Sequence, residues 1–115
     1  LKPWTTITSA ISPIPSDWPN HNISTTKPRD ASPQAGNKIA TCITTNGGPN
    51  NVHPSGKRDY THRELACLQS LPLGHKFPPG GKGVKRQIGN MVPPVVAAVI
   101  LEEVKRSLLK ADGLL

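Results

Sequence analysis

The run from Val95 to Leu109 constrains this chain more than any other stretch. It reads as a helix, continuing to about Ala111, that is apolar on every side at its start and amphipathic at its end. Ala97, Leu101, Val104 and Leu108 form one stripe, which Val96 and Ile100 widen. Such a surface needs cover on both sides. The only other concentrated apolar segment is Leu65–Leu71, and two short helices bury little surface without a partner. Much of the remainder is punctuation, with 13 prolines and 10 glycines in 115 residues, gathered mostly before position 95. The expectation is a piece of a larger folding unit, and the initial Leu1 in place of methionine agrees with it.

Charge narrows the partner. A net charge of +7 and a pI near 9.9 favour a polyanion, without choosing among DNA, RNA and an anionic membrane. The longest apolar run, Val92 to Leu101, falls far short of the roughly 20 residues of a membrane span, so no membrane partner is expected. No secretory signal pattern opens the chain. Cys42 and Cys67 are too few for a disulfide scaffold and point to a reducing compartment. Neither Cys-x-x-Cys nor His-x-x-x-His spacing occurs, so no metal site is expected of Cys42, Cys67, His53 and His62.

Ahead of the final helix stands Lys85-Arg86-Gln87-Ile88-Gly89-Asn90-Met91-Val92-Pro93-Pro94. Gly89, lacking a Cβ, permits either a tight turn or close approach to a ligand. Asn90 is a favoured helix N-cap, and Pro93 and Pro94 fit a first turn that needs no intrahelical N–H there. The expected product is a partly positive helix N-terminus beside a glycine turn, suited to a carboxylate or phosphate. This decapeptide resembles the tenth and last sequence block of the cytosine-5 DNA methyltransferases. The resemblance implies that the turn closes one side of an S-adenosylmethionine pocket, with Gly89, Asn90 and Met91 facing the methionine end of the cofactor.

The same resemblance runs upstream. Thr61 and Glu64 form a Thr-x-x-Glu capping box, flanked by the hydrophobic staple pair Tyr60 and Leu65. The helix they open should carry Leu65, Leu68 and Leu71 inward and end before Pro72. Tyr60 through Pro72 resembles the ninth block of these enzymes, a support for the target-recognition region. Arg63 and Glu64 are therefore assigned structural roles first. His53-Pro54-Ser55-Gly56 in front and Leu73-Gly74-His75-Lys76-Phe77 behind lean towards fungal members, which implies a nuclear location.

Ile39–Thr45, rich in β-branched residues, is a strand candidate, and Asn46 to Asn50 is a turn after it. In the family a strand and glycine turn at this place meet DNA, and a threonine touches a backbone phosphate beside the extruded cytosine. Cys42 occupies the corresponding position, with Thr41 and Thr44 beside it as substitutes. Thr41, Thr44, Asn46, Gly47 and Gly48 are the implied DNA contacts, joined by Lys57 and Arg58 of the basic loop as phosphate ligands. A plain hairpin turn and a solvated basic loop are the bland alternatives. Residues 1–38 read as an irregular connection with a short helix around Thr6–Ile11, and Asn22-Ile23-Ser24 is only formally a glycosylation acceptor. The expected divisions are 1–38 linker, 39–59 end of the recognition region, 60–77 block nine and 78–115 block ten with its helix.

Cytosine-5 methylation needs a thiolate for C6 of a flipped cytosine, an acid near N3 and a methyl donor. The family places these in a Pro-Cys pair, Glu-Asn-Val and Phe-x-Gly-x-Gly, and none of the three occurs here. No catalytic residue is assigned, and the chain alone is expected to be inactive. The implied parent fold is the α/β, Rossmann-like S-adenosylmethionine-dependent methyltransferase fold. Only its C-terminal part is expected here, as an irregular first half, short strands and two helices. The implied partners are DNA and an N-terminal cofactor domain. A non-catalytic DNA-binding relic or scaffold fragment, and an RNA cytosine methyltransferase, are the alternative readings.

Overall fold

The computed structural model describes residues 3–21, 35–45, 51–81 and 83–115. Among them are four helices: α1 (Ile7–Ile11), α2 (His62–Leu68), α3 (Val84–Asn90) and α4 (Pro94–Ala111). The expected short helix near the start is present as α1. Thr6 caps it by accepting the Ser9 amide, while the Ile7 and Thr8 amides donate to the carbonyls of Lys38 and Gly36, 2.9 Å each. Five residues are too few to hold a helix by propensity alone, so these outside acceptors for its first amides matter.

The capping box forms as expected. The Thr61 hydroxyl accepts the Glu64 amide at 3.2 Å, and the Glu64 carboxylate accepts the Thr61 amide at 2.8 Å. The helix ends at Leu68, sooner than Pro72 would require. Ser70 turns left-handed at φ 59°, and the Leu71 amide reaches back to the Ala66 carbonyl at 2.9 Å. That pairing is a Schellman stop with serine where glycine is usual. Leu71 thus packs against the core from beyond the helix.

The strand expected over Ile39–Thr45 is not formed. The segment is extended but belongs to no ladder, and among the described residues the only β-pairing is the single bridge Val52–Asp59. Branched side chains favour an extended backbone, but a strand also needs a partner. Here Ile43 enters the core, while the backbone at Thr44–Thr45 lies against α3. We call residues 41–45 the strap. Besides the short α1, two helices were expected, and α3 is the unforeseen one. It starts at Gly83, left-handed at φ 78°, and buries Val84 and Ile88 four residues apart.

The core gathers Ile7, Ile43, Tyr60, Leu65, Ala66, Val84 and Ile88, one or two from each element except α4. α4 packs against no other helix, and Val95, Val99, Leu101 and Leu108 are each more than 60 % exposed. The expected surface needing cover is therefore uncovered among the described residues. On the exposed face of α4, Arg106 donates to Glu103, three residues before it, at 3.4 Å. Gly113, at φ 70°, ends the helix, with the Leu114 amide on the Leu109 carbonyl at 2.8 Å. Taken through the break at Met91–Pro93, Val84–Ala111 contains an 18-residue window with a mean hydropathy of 1.2, enough for a membrane span by length and composition. The break and the charged cluster Glu102, Glu103, Lys105 and Arg106 argue against that use.

Candidate functional site

Of the expected sites, those among the described residues fall on the strap, on the 53–59 loop and on the α3–α4 junction, with α2 packed against α3. Arg63 and Glu64 of α2 have structural partners. Arg63 is 2 % exposed, and its guanidinium donates to the carbonyls of Pro19, Leu73 and His75 at 2.9–3.1 Å. It also lies 4.8 Å from the Phe77 ring centroid. One side chain so ties two loops, the one after α1 and the one after α2, to α2, which agrees with the structural role expected of it. An open cavity of about 400 Å3 borders it, lined by Trp18, Asn20, Lys76 and Phe77 among others.

Glu64 is nearly as buried, and Arg58 grips it with two parallel bonds of 2.8 and 2.9 Å. Burial alone would raise the Glu64 carboxyl. The Arg58 fork, the Thr61 amide and His53 outweigh that and hold it below the usual range. His53 stands 3.8 Å away, its protonation disfavoured by burial first and by Arg58 second. Burial also pushes the Tyr60 hydroxyl up to about 12. Arg58, expected on a DNA phosphate, thus has its charge committed to Glu64, and Lys85 lies 3.8 Å from Asp59. Lys57 is the exposed cation of that loop.

On the strap, Thr41 and Cys42 are exposed and Thr44 is half-buried. Asn46, Gly47 and Gly48, like the Asn22–Ser24 acceptor, lie outside the described residues. Asn51, which nothing in the sequence singled out, is fully buried and donates from Nδ2 to the Thr44 carbonyl at 3.4 Å. Cys67 is half-buried in α2, and burial raises its thiol away from the reactive thiolate. Among the described residues no three His, Cys, Asp or Glu side chains converge on a metal position.

The α3–α4 junction departs from expectation. Asn90 does not cap α4; it is the last residue of α3, with an exposed side chain. The N-cap of α4 is Pro93, which offers no side-chain bond, and the amide of Val95 donates to the Ser70 hydroxyl at 3.3 Å. A residue preceding proline resists helical dihedrals, so Val92 and Pro93 stay extended and the helix starts later than Asn90 could reach. On the other side, Gln69 donates to the Ile88 carbonyl at 3.1 Å. Both ends of the junction are therefore served from the loop after α2. Of the expected anion cradle, the Val95 amide is already taken and the Asn90 carboxamide remains open to a ligand.

Residues 3–106 match the family model for C-5 cytosine-specific DNA methylases. The chain is similar to the type II methylase M.HgiDII of Herpetosiphon aurantiacus, 36 % identical over 108 residues, covering 80 % of this chain and 30 % of that protein. Similarity to the type II methyltransferase M.AquIB of Picosynechococcus sp. is 34 % over 84 residues, covering 64 % of this chain and 60 % of the relative. For M.BbvI of Brevibacillus brevis it is 36 % over 66 residues, covering 57 % and 18 %. The chain thus spans less than two thirds of each of these relatives. No solved structure matches it.

Proposed function

Because the chain belongs to the C-5 cytosine-specific DNA methylases, we propose that it forms the C-terminal part of an S-adenosylmethionine-dependent enzyme that methylates C5 of cytosine in DNA. It supplies the end of the recognition region and blocks nine and ten. The nucleophile, acid and cofactor-glycine blocks come from elsewhere, since no Pro-Cys, Glu-Asn-Val or Phe-x-Gly-x-Gly occurs in these residues. The observation that carries this reading is the exposed apolar face of α4, placed directly after the Gly89–Met91 junction. A helix against which no other helix packs among the described residues is accounted for if it docks on the α/β, Rossmann-like cofactor domain.

S-adenosylmethionine, when bound, supplies the methyl group; this chain's share is to hold and orient. The Asn90 carboxamide suits the carboxylate at the methionine end, with the backbone of Gly89 and Met91 as the wall beside it. Thr41 and Thr44 face the duplex backbone, Lys57 adds an exposed charge, and Arg58 serves by shaping its loop on Glu64. Asn46, Gly47 and Gly48 complete the proposed DNA surface. The fungal, nuclear assignment rests on His53–Gly56 and Leu73–Phe77 alone, whereas the relatives named above are bacterial.

The test separates the two surfaces. In the methylase that contains these residues, Asn90→Ala should weaken cofactor binding about tenfold, the loss of one charge-assisted hydrogen bond, and leave duplex binding nearly unchanged. Equal cofactor affinity of variant and parent by calorimetric titration would refute the assignment. The 115 residues alone should transfer no labelled methyl group to a cytosine-containing duplex.

A further inference from the structure

Gly89 sits inside α3 with an ordinary helical φ, so backbone strain does not explain its glycine. Contact does. A Cβ at this position would stand 2.7 Å from the Thr45 nitrogen, 2.8 Å from its Cα and 2.9 Å from the Thr44 carbonyl carbon. All three are main-chain atoms, which cannot swing aside as a side chain could. Asn51 also holds this dipeptide, donating to the Thr44 carbonyl, and its own Oδ1 is buried without a partner. Two residues from different elements therefore grip one dipeptide, and one of them adjoins Asn90.

We propose that Gly89 is a positioning residue: its bare Cα seats the Thr44–Thr45 main chain on α3, with Asn51 as the second clamp, and so fixes the DNA-facing strap relative to the cofactor-facing junction. This rests on the assignment of Thr44 to the duplex surface given above. Gly89 itself touches no nucleic acid. A side chain there lifts the strap off α3 and moves Thr44 on the duplex. An interaction between the two ligands follows by linkage, because whatever orders one side of the seat orders the other.

The test uses the intact chain and two readouts, amide exchange at Thr44 and Thr45 and affinity for a fluorescein-labelled cytosine-containing duplex. Gly89→Ala should speed exchange at these amides about tenfold and weaken the duplex about tenfold, as local opening of the strap requires. Asn51→Leu, which leaves α3 untouched, should act in the same direction and serves if Gly89→Ala folds poorly. Gly74→Ala, at a glycine with open space around it, should change neither readout. Ile7→Val, a core truncation in α1, should lower the melting temperature with duplex affinity unchanged, so lost stability alone cannot mimic a displaced strap. Unchanged exchange in both Gly89→Ala and Asn51→Leu overturns the seat. Faster exchange with undiminished duplex affinity overturns its positioning role. If the parent chain binds no duplex, the DNA reading of Thr44 fails, and the exchange result still decides whether Gly89 seats the strap.

Discussion

The Thr61–Glu64 box was readable because it is local: hydroxyl and carboxylate three residues apart satisfy each other's amides in any context. Arg58 was not readable in the same way. It precedes Glu64 by six residues, across a bend, and a basic residue in a polar loop looks solvated until the fold brings a buried carboxylate to it. The pair has an asymmetric prediction. Arg58→Met strands a carboxylate that is 3 % exposed and should cost about 3 kcal/mol, whereas Glu64→Gln keeps an acceptor for the Thr61 amide and should cost roughly half as much. Urea midpoints order the two variants. Acid dependence has a definite sign. His53 and His62 both bind protons less readily when folded, so stability should begin to fall as pH drops through the unfolded histidine value near 6.5. Glu64, depressed in the fold, contributes stability that is complete above its unfolded value of about 4.5 and is lost as pH falls through the lower folded value. Chemical denaturation between pH 8 and pH 3 should show both declines, with the acid one reduced in Arg58→Met.

At the scale of elements, helices that carry their own start signals were legible, and those started from elsewhere were not. Thr6 and Thr61 announce α1 and α2, but α3 begins at a left-handed glycine with no side-chain cap, and its residues read equally well as a turn. Asn90 was the natural cap for α4 by composition. The proline pair displaced the helix, and a serine 25 residues upstream took the duty. Spacing rules cannot find such a partner. Ser70 does two jobs, and they separate by substitution. Ser70→Gly relieves a left-handed serine, worth about 1 kcal/mol, against a loss of similar size in glycine's unfolded-state entropy, so the melting temperature should barely move. The hydroxyl that holds the Val95 amide is gone, however. Exchange in the first turn of α4 should therefore rise while α2 and α3 keep their protection.

The whole molecule is longer than its size requires: its Cα radius of gyration is 16.7 Å, against about 13 Å for a compact chain of 115 residues. α4 accounts for much of this, standing away from the core with a groove of about 510 Å3 along Val99, Ile100, Val104 and Leu108. Its need for cover was the most legible global feature of the sequence, because all-round apolarity does not depend on knowing the fold. That a cofactor domain covers it is the proposal made above, and the family resemblance is what suggests it. The independence of α4 gives a prediction that a packed helix would not. Val99→Glu with Val104→Glu removes apolar surface that contributes nothing to the core, so the melting temperature should stay within the change expected of surface substitutions, about 0.5 kcal/mol each. The same pair should reduce binding of an apolar fluorescent dye. If the proposed docking holds, mixing the chain with a methylase portion carrying the Pro-Cys and Phe-x-Gly-x-Gly blocks should restore methyl transfer, and the doubly charged variant should not. A large loss of thermal stability would instead place α4 inside this chain's own core, and transfer restored by the doubly charged variant would mean that the groove is not where the cofactor domain sits.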